Sequence, residues 1–116
     1  MVFKKIISAV IVLGAFSSSL FAKSAMCTIE SNGVVEFHGY CEFESERGGS
    51  FSIADYDPDK PLFGTIMSVS LYVVEKGIGE VRGLTRDGIN SRWGEAQRSR
   101  HDPACWVGSD FKICAR

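Results

Sequence analysis

The sequence predicts an all-β fold, a small antiparallel barrel or sandwich of about eight short strands stapled by disulfides. Three observations predict it. Beyond the first two dozen residues no apolar pattern persists at helical spacing, whereas alternation of period two recurs. The alternating stretches are short and are separated by Asn-Gly and Gly-Gly turns. Four cysteines, Cys27, Cys41, Cys105 and Cys114, fall on stretches that read as extended.

The first segment is a leader rather than fold. Lys4 and Lys5 precede an apolar run from Ile6 to Phe16, which is short of the ~20 residues a membrane-crossing helix requires. Small residues follow, so residues 1–22 read as a signal peptide cleaved after Ala22, with Ala25 as the competing site. A lipid-attachment site at Cys27 is disfavoured by the bulk of Met26 before it. Residues 23–116 then form one β domain, exported to the periplasm or secreted, with no membrane insertion after cleavage. Such compartments are oxidising, and four cysteines there imply two disulfides. Local closure favours Cys27–Cys41 and Cys105–Cys114. A long-range pair such as Cys27–Cys114 stays open. There is no Cys-x-x-Cys, and only His38 and His101 accompany the cysteines, so neither a thiol-redox centre, a metal site nor a cofactor is expected.

Met26 to Glu30 reads as a first strand, turned by Ser31-Asn32-Gly33 into a long alternating stretch from Val34 to Glu44. Val35, Phe37, Gly39, Cys41 and Phe43 share its inner face, while Glu36, His38, Tyr40, Glu42 and Glu44 share the outer one. After the Gly48-Gly49 turn, Ser50 to Ala54 gives a third strand with Phe51 and Ile53 inward. Asp55, Asp57 and Asp59 have the spacing of a calcium loop but lack its glycine at position 6 and glutamate at position 12, so a solvated turn is expected. Thr65 to Val74 reads as a central strand with Met67, Val69, Leu71 and Val73 on one face, followed by Glu80 to Leu84. The polar stretch from Thr85 to Pro103 is read as one strand over Ile89 to Trp93 between shorter loops, since long structureless loops are uncommon in small domains.

The C-terminal hairpin carries its own register. With Ser109-Asp110 at the tip, Gly108 faces Phe111, Val107 faces Lys112, Trp106 faces Ile113 and Cys105 faces Cys114. Counting outward, the cysteines fall on a non-hydrogen-bonded pair with Cα atoms roughly 4.5 Å apart, at the short end of disulfide geometry. A slip of one residue loses the bridge. Trp106 opposite Ile113 belongs in the core.

Charge and motifs point to binding rather than catalysis. From Met26 to Asp59 eight acids face one base, Arg47, a net of −7; from Lys60 to Arg116 the net is +3. An acidic half argues against nucleic acid and suits a cationic protein partner. No nucleophile elbow is present, since Gly48-Gly49-Ser50-Phe51-Ser52 is not Gly-x-Ser-x-Gly, and His38 and His101 read as solvent-exposed. The expectation is therefore no enzyme and no catalytic residue. Glu36, Glu42 and Glu44 on one strand face, with Ser91, Arg92 and Trp93 from the polar stretch, are the candidate partner-binding residues.

Asn90-Ser91-Arg92-Trp93-Gly94-Glu95-Ala96 is similar, in its aromatic, glycine and alanine, to the aromatic-x-x-Lys-Gly-x-x-Ala region of the periplasmic and membrane-bound inhibitors of c-type lysozyme. The lysine of that pattern and the family's Ser-Gly-x-x-Tyr loop are absent here. The resemblance implies an eight-stranded antiparallel barrel that inserts a loop into the lysozyme cleft, between one protonated and one ionised carboxyl group. Ser91 with Arg92 would supply the hydroxyl and the cation. The alternative is a cell-envelope or secreted interaction protein with another ligand, as a homodimer through an exposed strand edge.

Overall fold

Residues 21–116 are described by a computed structural model in which eight antiparallel strands close into a barrel. The strands are β1 (Phe21–Ser31), β2 (Val34–Ser45), β3 (Phe51–Ala54), β4 (Ile66–Glu75), β5 (Ile78–Thr85), β6 (Asn90–Arg98), β7 (Cys105–Gly108) and β8 (Phe111–Ala115). Each pairs with the next, and β8 returns to β1 with Cys27 opposite Ala115 and Ser31 opposite Phe111. Of the two architectures the sequence allows, the barrel is the one formed. A single short 3₁₀ turn at Arg47–Gly49 interrupts the strands, and no helix among the described residues is long and apolar enough to cross a membrane. Of the expected leader, residues 1–20 lie outside the described residues. Phe21 and Ala22 open β1, opposite Ser45 and Glu44.

The turns sort into two ends. Asn32-Gly33, the loop 55–65, the turn 86–89 and Ser109-Asp110 gather at one end, here the mouth, joined by backbone bonds from Asn32 N–H to the Asp110 carbonyl (2.8 Å) and from Arg86 N–H to the Thr65 carbonyl (2.9 Å). Asn32 (φ 52°) and Gly33 (φ 79°) both take the left-handed conformation that a two-residue hairpin of this hand requires. The opposite end, the base, holds the segment 46–50, Lys76-Gly77 and the loop 99–104.

Alternation fills the interior. Ile29, Ile53, Val69, Leu71, Val81 and Ile113 are fully buried, each contributing about 1.5–3 kcal/mol by removal from water. Both expected disulfides are formed. Cys27 faces Gly39 and Cys41 faces Ala25, so the first bridge runs diagonally across the β1–β2 ladder inside the core, with Cα atoms 5.9 Å apart. The second joins directly opposed residues whose Cα atoms are 4.0 Å apart, in the register read from the hairpin. Trp106 is buried opposite Ile113.

Several details differ from the expectations. Val35 is 54% exposed rather than inward, because Ile29 faces Phe37 while Glu30 faces Val35: Glu36 is the extra residue of a β-bulge, and the parity of β2 reverses beyond it. β1 begins well before Met26, and β6 runs to Arg98 instead of ending at Trp93. Closure by β8 covers the edge of β1 over Cys27–Ser31 only. Unpaired flanks remain, among them the start of β1, Val34–Cys41 of β2 and Asn90–Glu95 of β6. Asp55 and Asp57 do form a turn, each carboxylate accepting a backbone N–H, from Asp57 and Asp59 respectively, at 2.9 Å.

Candidate functional site

The outer face of β2 is an acidic ladder without counter-charges among the described residues. Glu36, Glu42 and Glu44 are all exposed. Glu36 is the unpartnered residue of the β2 bulge, and the ladder partners of the other two are neutral: Glu42 faces Ser24 and Ala54, and Glu44 faces Ala22 and Ser52. Among the described residues none of the three takes part in an ion pair. Uncompensated like charges on one face add their fields at long range. The same face carries His38, whose Nδ1 lies 2.9 Å from Thr28 Oγ1, and Tyr40, which is 68% exposed. Tyr56 reaches from the loop 55–65 to donate a hydrogen bond to Ser24 Oγ, beside Glu42, and is itself 51% exposed. Two exposed tyrosines beside three free carboxylates make an amphipathic, anionic contact surface, tyrosine being enriched where binding energy concentrates.

Tyr40 and Tyr56 were not singled out by the sequence. Tyr40 was legible from its outward parity. Tyr56 was not, since its meeting with Ser24 spans 32 residues.

Ser91, Arg92 and Trp93 lie on a strand, and their groups are engaged. The Ser91 hydroxyl donates to the Gly83 carbonyl at 3.1 Å. Arg92 pairs with Glu80, which Arg82 also approaches at 3.7 Å. The Arg92 hydrogen bond holds the Glu80 carboxyl below the ordinary glutamate range, opposed by desolvation and helped by the charges of Arg92 and Arg82. Trp93 is the extra residue of a β-bulge, because Val81 faces Gly94 while Arg82 faces Arg92. Bulges re-aim side chains, and this one turns the indole into the mouth. It lies edge-on to Phe111 (5.7 Å between centroids) and Phe63 (6.4 Å), half-buried instead of standing free as an anchor. The three rings border a cavity of about 410 Å³ with Arg92 and Asp110 at its rim.

The barrel order separates the candidates. β2 and β6 are four strands apart in a ring of eight, so the glutamates and the Ser91–Trp93 group occupy opposite walls and form two surfaces. Comparison with protein families, curated proteins and solved structures found no match to this chain. Among the described residues no group of three or more His, Cys, Asp or Glu side chains converges as metal ligands. His101 is exposed at the base, and its backbone N–H is bound by Ser99 Oγ at 3.1 Å.

Proposed function

We propose that this chain is an exported binding protein without catalytic activity, whose β2 face engages a cationic protein partner, with c-type lysozyme as the partner class. One observation carries the reading: Glu36, Glu42 and Glu44 form an exposed row with no ion-pair partner among the described residues, in the company of Tyr40 and Tyr56. The strand that carries the row is anchored in the core by the bridge from Cys41 to Cys27. The closed eight-stranded barrel is also the architecture that the lysozyme-inhibitor resemblance implies. Surface complementarity supports the reading more than insertion of Ser91 and Arg92, which Gly83 and Glu80 already engage.

Export is part of the proposal. Two formed disulfides suit an oxidising compartment. Cleavage after Ala22 would keep Lys23–Ser31 in the β1 ladder, whereas cleavage after Ala25 would remove a buried core residue opposite Cys41.

The test is a lysis-turbidity assay with a c-type lysozyme. The protein slows lysis, the effect weakens as salt is raised, and the variant carrying Glu36→Lys, Glu42→Lys and Glu44→Lys loses it by more than about tenfold, a change of 1.4 kcal/mol in binding. Absence of any slowing at molar excess overturns lysozyme as the partner. Recovery of a different basic protein through the same three glutamates would then support the alternative, an envelope or secreted interaction protein.

A further inference from the structure

The base of the barrel carries a feature that the acidic face does not explain. A cavity of about 300 Å³ opens there, at the small end of ligand pockets, which run from about 300 to 1,000 Å³. Its floor is aromatic. Phe43 and Phe51 stack with centroids 5.0 Å apart, and Trp106 completes the surface. Its rim is cationic, with Lys76 from the β4–β5 turn and Arg98 from the end of β6.

The two cations are placed differently. Arg98 is fixed: its guanidinium lies 5.6 Å from the Trp106 ring centroid, and its Nε donates to the Pro103 carbonyl at 2.8 Å. Its terminal nitrogens have no carboxylate partner among the described residues. Lys76 is exposed and likewise unpaired there. A second, smaller cavity of about 70 Å³ shares Phe43 and Ala115 with the first and is bounded by Lys23 and Arg116. Lys23 Nζ sits 5.6 Å over the Phe43 ring. No Asp or Glu lines either cavity. Asp102, close by, is taken by Arg116 through two hydrogen bonds of 2.9 and 2.7 Å. Glu46 and Glu75 belong to the same end but line neither space.

From this arrangement we infer that the base cavity is a binding site for a small organic anion with a flat apolar body. The body lies on Phe43, Phe51 and Trp106, and the carboxylate meets Lys76 and Arg98. Each half of the ligand answers one half of the site. The ring floor buries apolar area without supplying an acceptor, and two unpaired cations beside it repel each other until an anion arrives. A guanidinium already oriented by an aromatic face loses little freedom on accepting a carboxylate. The site is independent of the β2 face and of the identity of any protein partner.

The experiment is a titration of the ¹⁵N-labelled protein, expressed from its full sequence, followed by amide and indole shifts. The probes are 2-naphthoate, its neutral analogue 2-naphthamide, and inorganic phosphate. Naphthoate shifts Gly48, Gly49, Gly77 and the Trp106 indole in a saturable manner and binds at least about tenfold more tightly than naphthamide, while phosphate leaves these signals in place. Lys76→Glu and, separately, Arg98→Gln each weaken naphthoate at least about fivefold, and Lys60→Glu on the mouth loop does not. Equal binding of naphthoate and naphthamide overturns the inference, as do shifts confined to Trp93 at the mouth or none up to about 10 mM probe. Because the probe comparison uses the unaltered protein, it decides the matter even where a variant fails to fold.

Discussion

Gly108 shows how a single position fixes local packing. A Cβ built there would lie 2.2 Å from two carbons of the Phe111 ring, so the ring occupies the space that a side chain would fill. Gly83 stands in the same relation to the Trp93 indole, at 2.8 Å. Both rings line the mouth, and both need a bare strand beneath them. Gly108→Ala is therefore expected to destabilise the barrel by about 1–3 kcal/mol, the usual cost of overpacking. Urea denaturation reads this, and adding Phe111→Leu to Gly108→Ala should restore part of the loss. If the single substitution leaves the midpoint unchanged, the ring is not held as described. Asp102 gives a prediction in pH. Hydrogen bonds from Arg116 lower its carboxyl below the ordinary aspartate range, helped by the Ala104 N–H and opposed by desolvation. A depressed carboxyl contributes stability that is fully present above its unfolded value and lost as pH falls through its folded one. The Asp102→Asn variant should therefore lose less stability than the parent between neutral pH and the acid side of the aspartate range. Parallel acid-denaturation curves for the two proteins would refute the linkage.

Among the elements, the β7–β8 hairpin was legible in full, because a two-residue tip dictates every facing pair and the cysteines check the count. Its bridge closes a short loop, for which the chain-entropy relation gives roughly 2.7 kcal/mol. Replacing both Cys105 and Cys114 with alanine is expected to lower stability by about 2–3 kcal/mol in urea, with the β-sheet circular dichroism retained. Loss of the fold altogether would mean that the hairpin directs closure of the barrel as well as stapling its own strands. β2 was readable from Phe37 to Glu44, where the alternation holds, but not at its tip, where the bulge at Glu36 turns Val35 outward. β1 and β6 were not. The start of β1, Ala22-Lys23-Ser24, offers no apolar alternation, and its pairing depends on the long partner strand beside it. β6 sets only Ala96 fully inward and half-buries Trp93, while its polar residues face water or the rim, so its pattern resembles a loop. The three glutamates followed from parity along one strand. Their separation from Ser91–Trp93 did not, because that requires the strand order of the closed ring.

In the whole molecule, the −7 and +3 halves of the sequence become places instead of stretches. Three acids of the first half, Glu36, Glu42 and Glu44, stand along one wall, and Lys76, Arg98 and Arg116 of the second half meet Lys23 at the base. The fold therefore offers a partner two faces of opposite sign, and one surface change can be made without touching the other. The seam between β1 and β8 has a different bearing. It joins residues 27–31 to residues 111–115, so the ring cannot shut until the last strand has left whatever channel delivers the chain. The thiols are under no such constraint. Each bridge links neighbours in the order of emergence, Cys27 with Cys41 and then Cys105 with Cys114. An oxidase that couples thiols as they appear would therefore write the native connectivity at the first attempt, leaving nothing for an isomerase to correct.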